Sequence, residues 1–188
     1  HGIFYGAANP VFGSISPAST ENIESFVGKV SNAGVWDWVT PIHGSSYQYS
    51  GQITIDSNGD VIVCGLTFAS ITLGSFTTGG SGLEFYLAKL SASNGAVTNV
   101  IEIFEHSWTS YSTVCDIDSN DNVYIASEFK TSSGTSVKVN VPGIGTFTSD
   151  DQLDILIVKV DSSFSILWVE QIGSSGNDFV RDIYADNN

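Results

Sequence analysis

One nine-residue block recurs along this chain with the same internal grammar. Ile53-Thr54-Ile55-Asp56-Ser57-Asn58-Gly59-Asp60-Val61 returns as Cys115-Asp116-Ile117-Asp118-Ser119-Asn120-Asp121-Asn122-Val123 and, cut short, as Ile183-Tyr184-Ala185-Asp186-Asn187-Asn188. Other landmarks keep step. Phe26-Val27-Gly28-Lys29-Val30 matches Tyr86-Leu87-Ala88-Lys89-Leu90 and Leu156-Ile157-Val158-Lys159-Val160, each with an acid five residues before its lysine: Glu24, Glu84 and Asp154. Gly13-Ser14-Ile15, Gly74-Ser75-Phe76 and Gly145-Thr146-Phe147 form a third series. The lysines lie 60 and 70 residues apart and the turn aspartates 62 and 68, so both markers place the insertions in the second interval. A period of this length fixes the architecture before any residue is interpreted, and assigns residues inside the repeat to the fold first.

Each unit reads as short strands punctuated by Gly, Asn, Asp and Ser, with no sustained helical periodicity. In the second unit the strands are expected at 52–55, 60–64, 84–90 and 97–104. Asp56-Ser57-Asn58-Gly59 supplies hairpin chemistry, because Asp and Asn side chains bond nearby amides and Gly tolerates positive φ. The run from Glu84 to Leu90 is almost continuously apolar, which implies burial on both faces of its sheet. The fold class is therefore all-β: an array of about three four-stranded antiparallel blades of β-propeller type, part of a larger or oligomeric propeller. The units are expected at about 1–51, 52–112 and 113–179 of one repeat region spanning 1–188, followed by a lone first strand at 180–188.

These elements resemble the SBBP repeats, the seven-bladed β-propeller family of secreted and surface bacterial proteins. The matching features are the I-x-x-D-S-N-G-D-V hairpin, the G-[ST]-[FI] segment, the acid-x-F-[VL]-x-K-[VL] strand, and a Trp-containing fourth strand followed by Gly173-Ser174-Ser175-Gly176-Asn177-Asp178. The second unit departs from the pattern in having no Trp in its fourth strand, and three units fall short of the roughly four to eight blades of a propeller. The resemblance implies an exported module at the cell surface or outside the cell, without catalysis, acting in recognition, adhesion or structural assembly. His1-Gly2-Ile3-Phe4 aligns with Ala126-Ser127-Glu128-Phe129, the end of a second strand, while the other end of the chain is a first strand. The expectation is a piece of a longer array, or a subunit whose last strand completes the first blade of a neighbouring copy, head to tail.

Composition bounds the partners. Six basic against 20 acidic residues give a net charge of −14, which repels nucleic-acid phosphate and anionic lipid. No apolar run approaches the ~18–20 residues of a membrane-spanning helix. Low Lys and Arg with abundant Ser, Thr, Gly and Asn suits an exported protein; the missing Met and signal peptide mark the chain as processed or as part of something longer. Cys64 and Cys115 occupy non-equivalent repeat positions, and two buried free thiols are expected rather than a pair.

Function is expected on the rim that carries the long second-to-third and fourth-to-first connections. There His43, Tyr47 and Tyr49 match His106, Trp108 and Tyr111, an arrangement of rings and polar groups able to bind a glycan or a protein side chain; packing between blades is the competing reading. Trp38 and Trp168, each nine residues after its repeat lysine, are read as core, while Trp36 and Trp108 have no such counterpart. Asp56, Asn58 and Asp60, with Asp118, Asn120 and Asn122, carry D-x-N-x-D-like spacing and are the calcium candidates. They lack the span and terminal Glu of a hand-type loop, so a structural turn is preferred and no cofactor is expected. His1 with His43 or His106 would be a copper pair of the lytic monooxygenase kind, but His1 falls inside the repeat. No nucleophile elbow, phosphate loop or zinc spacing is present. A carbohydrate-active propeller with acids on the long-loop rim is the catalytic alternative.

Overall fold

The computed structural model describes residues 1–5, 10–18, 23–44, 46–68, 70–79, 82–106, 112–131, 137–139, 144–149 and 152–186. Every regular element among them is a strand, and all pairing is antiparallel. The first sheet begins with β1 (Gly2–Tyr5), β2 (Ile23–Val30) and β3 (Trp36–Gly44). The second is built on β4 (Gln48–Ile55) and β5 (Val61–Phe68), then, after the hairpin β6 (Ile71–Leu73) and β7 (Phe76–Thr77), β8 (Leu83–Leu90) and β9 (Val97–His106). The third comprises β10 (Thr113–Ile117), β11 (Val123–Phe129), β14 (Asp154–Val160) and β15 (Ile166–Ile172), with the hairpin β12 (Val137–Val139) and β13 (Thr146–Phe147) inserted before β14. The second and third sheets thus share one meander: first strand, second, third, fourth.

Turn chemistry drives these meanders. In the β4–β5 and β10–β11 turns, Gly59 and Asp121 adopt φ of 83° and 61°, and in the third-to-fourth turns Gly34, Gly95 and Phe164 adopt 75°, 71° and 67°. Corresponding positions of the units therefore share a left-handed backbone that favours Gly, and Asp121 and Phe164 adopt it against side-chain strain.

The hairpins cross between units. β6 adds to the outer edge of β3, with Thr72 opposite His43, and β12 adds to the outer edge of β9, with Lys138 opposite Glu105. The sheet orders are consequently β1-β2-β3-β6-β7, β13-β12-β9-β8-β5-β4 and β10-β11-β14-β15. Among the described residues the sheets do not close into a ring or barrel. These hairpin strands went unseen in the connections because two or three residues are too few to show alternation.

The second sheet is the filling of the structure. Ile62, Cys64, Leu66, Phe85 and Leu87 face Cys115, Ile125, Phe129, Leu156 and Val158 of the third sheet. Val61, Val63, Tyr86, Ala88 and Leu90 face Val27, Trp38 and Ile42 of the first. Successive residues of a strand point to opposite faces, so a strand covered on both sides is apolar along most of its length, as β5 and β8 are between their polar end positions Thr67, Glu84 and Lys89.

Three expectations are corrected. The fourth-to-first connection after unit 1 is shorter than expected: β3 runs through His43 to Gly44, and β4 opens at Gln48, four residues before the expected unit boundary. Trp38 is 6% exposed but Trp168 is 38% exposed, so Trp168 is not core. Ala92 and Gly95 cover Trp38, with the Trp38 Nε1 proton donated to Ala92 O at 3.2 Å, and no such turn follows β15 among the described residues. The segment 177–186 is not a paired strand. It lies along the third sheet: Val180 N donates to Glu128 Oε1 (3.2 Å), Ala185 N to Asp116 Oδ2 (2.9 Å), and Val180 O accepts the Ser112 hydroxyl (3.4 Å).

Cys64 and Cys115 are free and buried, and both thiols point at Gln52 O, at 3.6 and 3.7 Å. The neighbouring Cys64 thiol, and then burial, push the Cys115 thiol well above its ordinary range. A thiol that is both inaccessible and poorly ionised is inert. Titration with a coloured disulfide reagent at pH 8 is expected to find neither thiol reactive in the native chain and both after denaturation; prompt native reaction would contradict the packing of the second sheet on the third.

Candidate functional site

Two rims emerge from the strand alternation. On one, the first-to-second and third-to-fourth turns meet. Asp56 Oδ1 accepts the amides of Asn58 and Asp60, both at 2.9 Å, while its Oδ2 sits 2.5 Å from Lys89 Nζ. Asp60 Oδ1 accepts the Ala92 amide at 2.9 Å. Asp118 repeats the turn: Oδ1 takes the amides of Asn120 and Asn122 at 2.9 Å, and Oδ2 takes the Asn122 side-chain amide (2.8 Å) and the Tyr124 hydroxyl (3.1 Å). Lys159 lies 4.0 Å from Asp118 Oδ2 and 4.8 Å from the centre of the Tyr124 ring. Of the calcium candidates, Asp56, Asp60 and Asp118 thus turn their carboxylate oxygens to N–H and O–H donors, and Asn58, Asn120 and Asn122 supply some of those donors, whereas a hard cation needs converging oxygens. Among the described residues no group of three or more His, Cys, Asp or Glu side chains is placed to hold a metal ion.

Burial works to raise the Asp56 carboxyl, but the Lys89 ammonium and the Asp60 and Asn58 amides outweigh it and hold the group below the usual carboxylate range. At Asp118 burial is likewise outweighed by the Asn122 side chain, the Asn122 and Asn120 amides and the Tyr124 hydroxyl. A carboxyl depressed in the folded state binds fewer protons there than in the unfolded chain. The stability it contributes is present above the unfolded value of about 3.9 and is lost as pH falls through the folded value. Urea midpoints are expected to fall steeply below pH 4, and the double variant Asp56→Asn, Asp118→Asn to flatten that fall; an unchanged slope would show that these turns are not its source.

Asp121, which stands where the second unit has Gly59, was not visible as a special residue in the repeat. Its Oδ1 accepts the Ser57 amide at 2.8 Å and its Oδ2 the Ser57 hydroxyl at 2.6 Å, stitching the turn of one unit to the turn of the next. The exchange of a repeat glycine for a carboxylate was the available signal. Together with Asp56, Asn58, Lys89 and Ser162, it lines a cleft of about 260 Å³ between the second and third sheets.

On the long-loop rim the recurrent acids open each third strand and are buried. Glu24 Oε1 is 3.1 Å from His43 Nδ1, Glu84 Oε2 accepts the Thr78 hydroxyl at 2.7 Å, and Asp154 Oδ2 accepts the Gln171 amide at 2.6 Å. His43 is therefore tied to the repeat acid within its own sheet. Tyr47 is 47% exposed, with its ring edge-on to Phe68 at 6.3 Å; Tyr49 lies in β4, meets Phe68 at 6.4 Å and packs against the core between the second and third sheets. His106 ends β9. Trp108 and Tyr111 lie outside the described residues, as does the side chain of His106; Tyr47 and Tyr49 meet on Phe68, and His43 stays with Glu24 in the first sheet. Of these, Tyr47 offers an exposed ring. An open recess of about 490 Å³ near the end of β15 is lined by Thr148, Asp154, Gln171, Gly173, Ser174 and Ser175.

No family model matches the chain, and no curated protein matches it.

Proposed function

We propose that this chain is a non-catalytic β-propeller module, exported to the cell surface or the extracellular space, whose work is structural assembly and recognition of protein or glycan partners. The observation that carries this reading is the crossing of hairpins between units: β6–β7 extends the sheet before it, and so does β12–β13. Such a chain is built to be joined unit to unit, and the acids that recur in its repeat, Asp56 and Asp118 in the turns and Glu24, Glu84 and Asp154 on the third strands, are held by partners within the fold. The SBBP-like repeat and the charge of −14 support the exported setting and argue against nucleic acid. No helix of the described residues is long and apolar enough to cross a membrane.

The test is a panel of polysaccharide and chromogenic glycoside substrates, run beside a glycan array. No turnover is expected. Any array binding is expected to weaken on Tyr47→Ala, the exposed ring of the long-loop rim. Hydrolysis that disappears in Glu24→Gln would overturn the reading in favour of a carbohydrate-active propeller.

A further inference from the structure

Cys64 and Cys115 stand where the repeat does not ask for cysteine. In the alignment of the units, Ala126 takes the place of Cys64 in unit 3 and Ile53 the place of Cys115 in unit 2. The two positions are non-equivalent, one on the second strand of unit 2 and the other on the first strand of unit 3, yet the fold brings them to one point. Cys64 in β5 is 0% exposed and Cys115 in β10 is 1% exposed, and both belong to the cluster shared by the second and third sheets.

A bulge makes the meeting. The register of β4 against β5 shifts between Ser50 and Ile53, so Gly51 and Gln52 leave the regular ladder. Gly51 then lies against the backbone of Thr113, where a Cβ would overlap the carbonyl oxygen, and Gln52 Oε1 accepts the Cys115 amide at 3.1 Å. Here β4 and β10 touch through their backbones, closer than the ~10 Å that separates sheets packed face to face. The Gln52 carbonyl oxygen meets both thiols, Cys64 Sγ at 3.6 Å and Cys115 Sγ at 3.7 Å. The foremost cause that raises the Cys115 thiol is its hydrogen bond with the Cys64 side chain beside it. A thiol is a weak donor, so neither sulfur is tied down by a strong bond and each is free to turn to the other.

We propose that Cys64 and Cys115 form a latent disulfide between units 2 and 3, closed when the chain folds in an oxidising compartment and left as two thiols when it folds in a reducing one. The proposal rests on the exported setting of the reading above, because thiol pairs stay reduced inside most cells. The step is thiol–disulfide exchange. The thiolate of one cysteine attacks a small disulfide such as oxidised glutathione, forming a mixed disulfide and releasing one glutathione thiolate. The thiolate of the other cysteine attacks the protein sulfur of that mixed disulfide, which forms the Cys64–Cys115 bond and releases the second glutathione. The protein thiols lose two electrons and two protons, and the glutathione disulfide takes them up in becoming two thiols. Burial sets the timing: the finished core admits no glutathione, so the bond closes before the third sheet settles on the second, and the packed sheets then shield it from reductant. The bond ties the first strand of unit 3 to unit 2. The chain holds two cysteines in all, so the junction of units 1 and 2 has no such link.

The test refolds the reduced, denatured chain in two buffers, one with oxidised and reduced glutathione and the other with dithiothreitol. From the glutathione buffer the chain is expected to be two hydrogens lighter by intact mass, with a Cys64–Cys115 peptide in the unreduced digest and no thiol titratable after denaturation. The reduced chain is the one whose two thiols are counted in the titration described above. The linked chain is expected to melt about 10 °C above the reduced one, since closing a loop of this size restricts the unfolded state. Cys64→Ala, the residue that unit 3 carries at that position, is expected to melt alike from both buffers. Native dichroism with both thiols left free or capped by glutathione, a bond formed only between chains, a linked chain that melts no higher than the reduced one, or an equal gain in Cys64→Ala overturns the proposal. Each of these outcomes leaves the module reading intact, which falls only on the catalytic result described for it.

Discussion

Phe85→Ala is expected to lower the free energy of unfolding by about 3–5 kcal/mol, a large part of the ~5–15 kcal/mol that holds a domain folded. Phe85 is fully buried in β8, its ring stacked on that of Phe104 at 4.4 Å and 27°. The cluster around it draws side chains from β5, β8 and β9 and from the third sheet, so the cavity left by alanine opens between two units. Neighbours held in two sheets cannot collapse into it without parting one from the other, which places the cost toward the upper end of the range. Leu167→Ala on β15, where the side chain is half exposed, is expected to stay within about 0.5 kcal/mol in the isolated chain. Urea denaturation at 25 °C followed by far-ultraviolet dichroism measures both. A Phe85→Ala cost under 1 kcal/mol would mean that the second and third sheets do not share a core.

Gly51→Ala is expected to be the most damaging single-methyl addition, at about 1–3 kcal/mol or more. A Cβ on Gly51 would run into the carbonyl oxygen of Thr113, the first residue of β10. That obstacle is backbone, fixed by the pairing of Thr113 with Ser127 and by the Gln52 side chain, whose Oε1 accepts the Cys115 amide at 3.1 Å. The methyl can be accommodated only by moving β4 away from β10, which also parts the Cys115 thiol from the Gln52 carbonyl and opens the contact between the two sheets. Native thiol reactivity should therefore rise together with the loss of stability. Gly79→Ala, where a Cβ meets nothing within 4 Å, serves as the control. Equal behaviour of the two variants would contradict the close approach of the units.

The parts of the fold that the sequence made legible are those encoded by local chemistry. Asp56 and Asp118 announced hairpins because a carboxylate two and four residues before an amide can brace only a tight turn, and both do so at 2.9 Å. The nearly continuous apolar run of β8 announced a sheet covered on both faces, and its apolar residues divide between two cores. What depended on neighbouring units was hidden. Trp38 and Trp168 are identical in spacing from their lysines, yet one is covered and the other is not, because the cover is a turn some 55 residues further along the chain. Strands β6 and β12 are three residues each, too short for alternation, and are held by an edge that belongs to another unit. His43 and Tyr49 were expected on a loop because Gly44, Ser45 and Ser46 look like a break. The structure carries β3 to Gly44 and starts β4 at Gln48, whose side chain is buried. Trp108 and Tyr111, the residues that most distinguish the long-loop rim, lie outside the described residues, so their part in recognition rests on binding measurements with alanine variants.

The central claim is that neighbouring units of this chain share one core and are stitched turn to turn. Native-state hydrogen exchange followed residue by residue tests it most directly, on the chain and on its Phe85→Ala variant. The expected result is that the amides of β8 in the second sheet and of β11 and β14 in the third lose protection together in the variant, because all three strands line one cluster. A loss confined to the second sheet, with the third unchanged, would contradict a core shared between units.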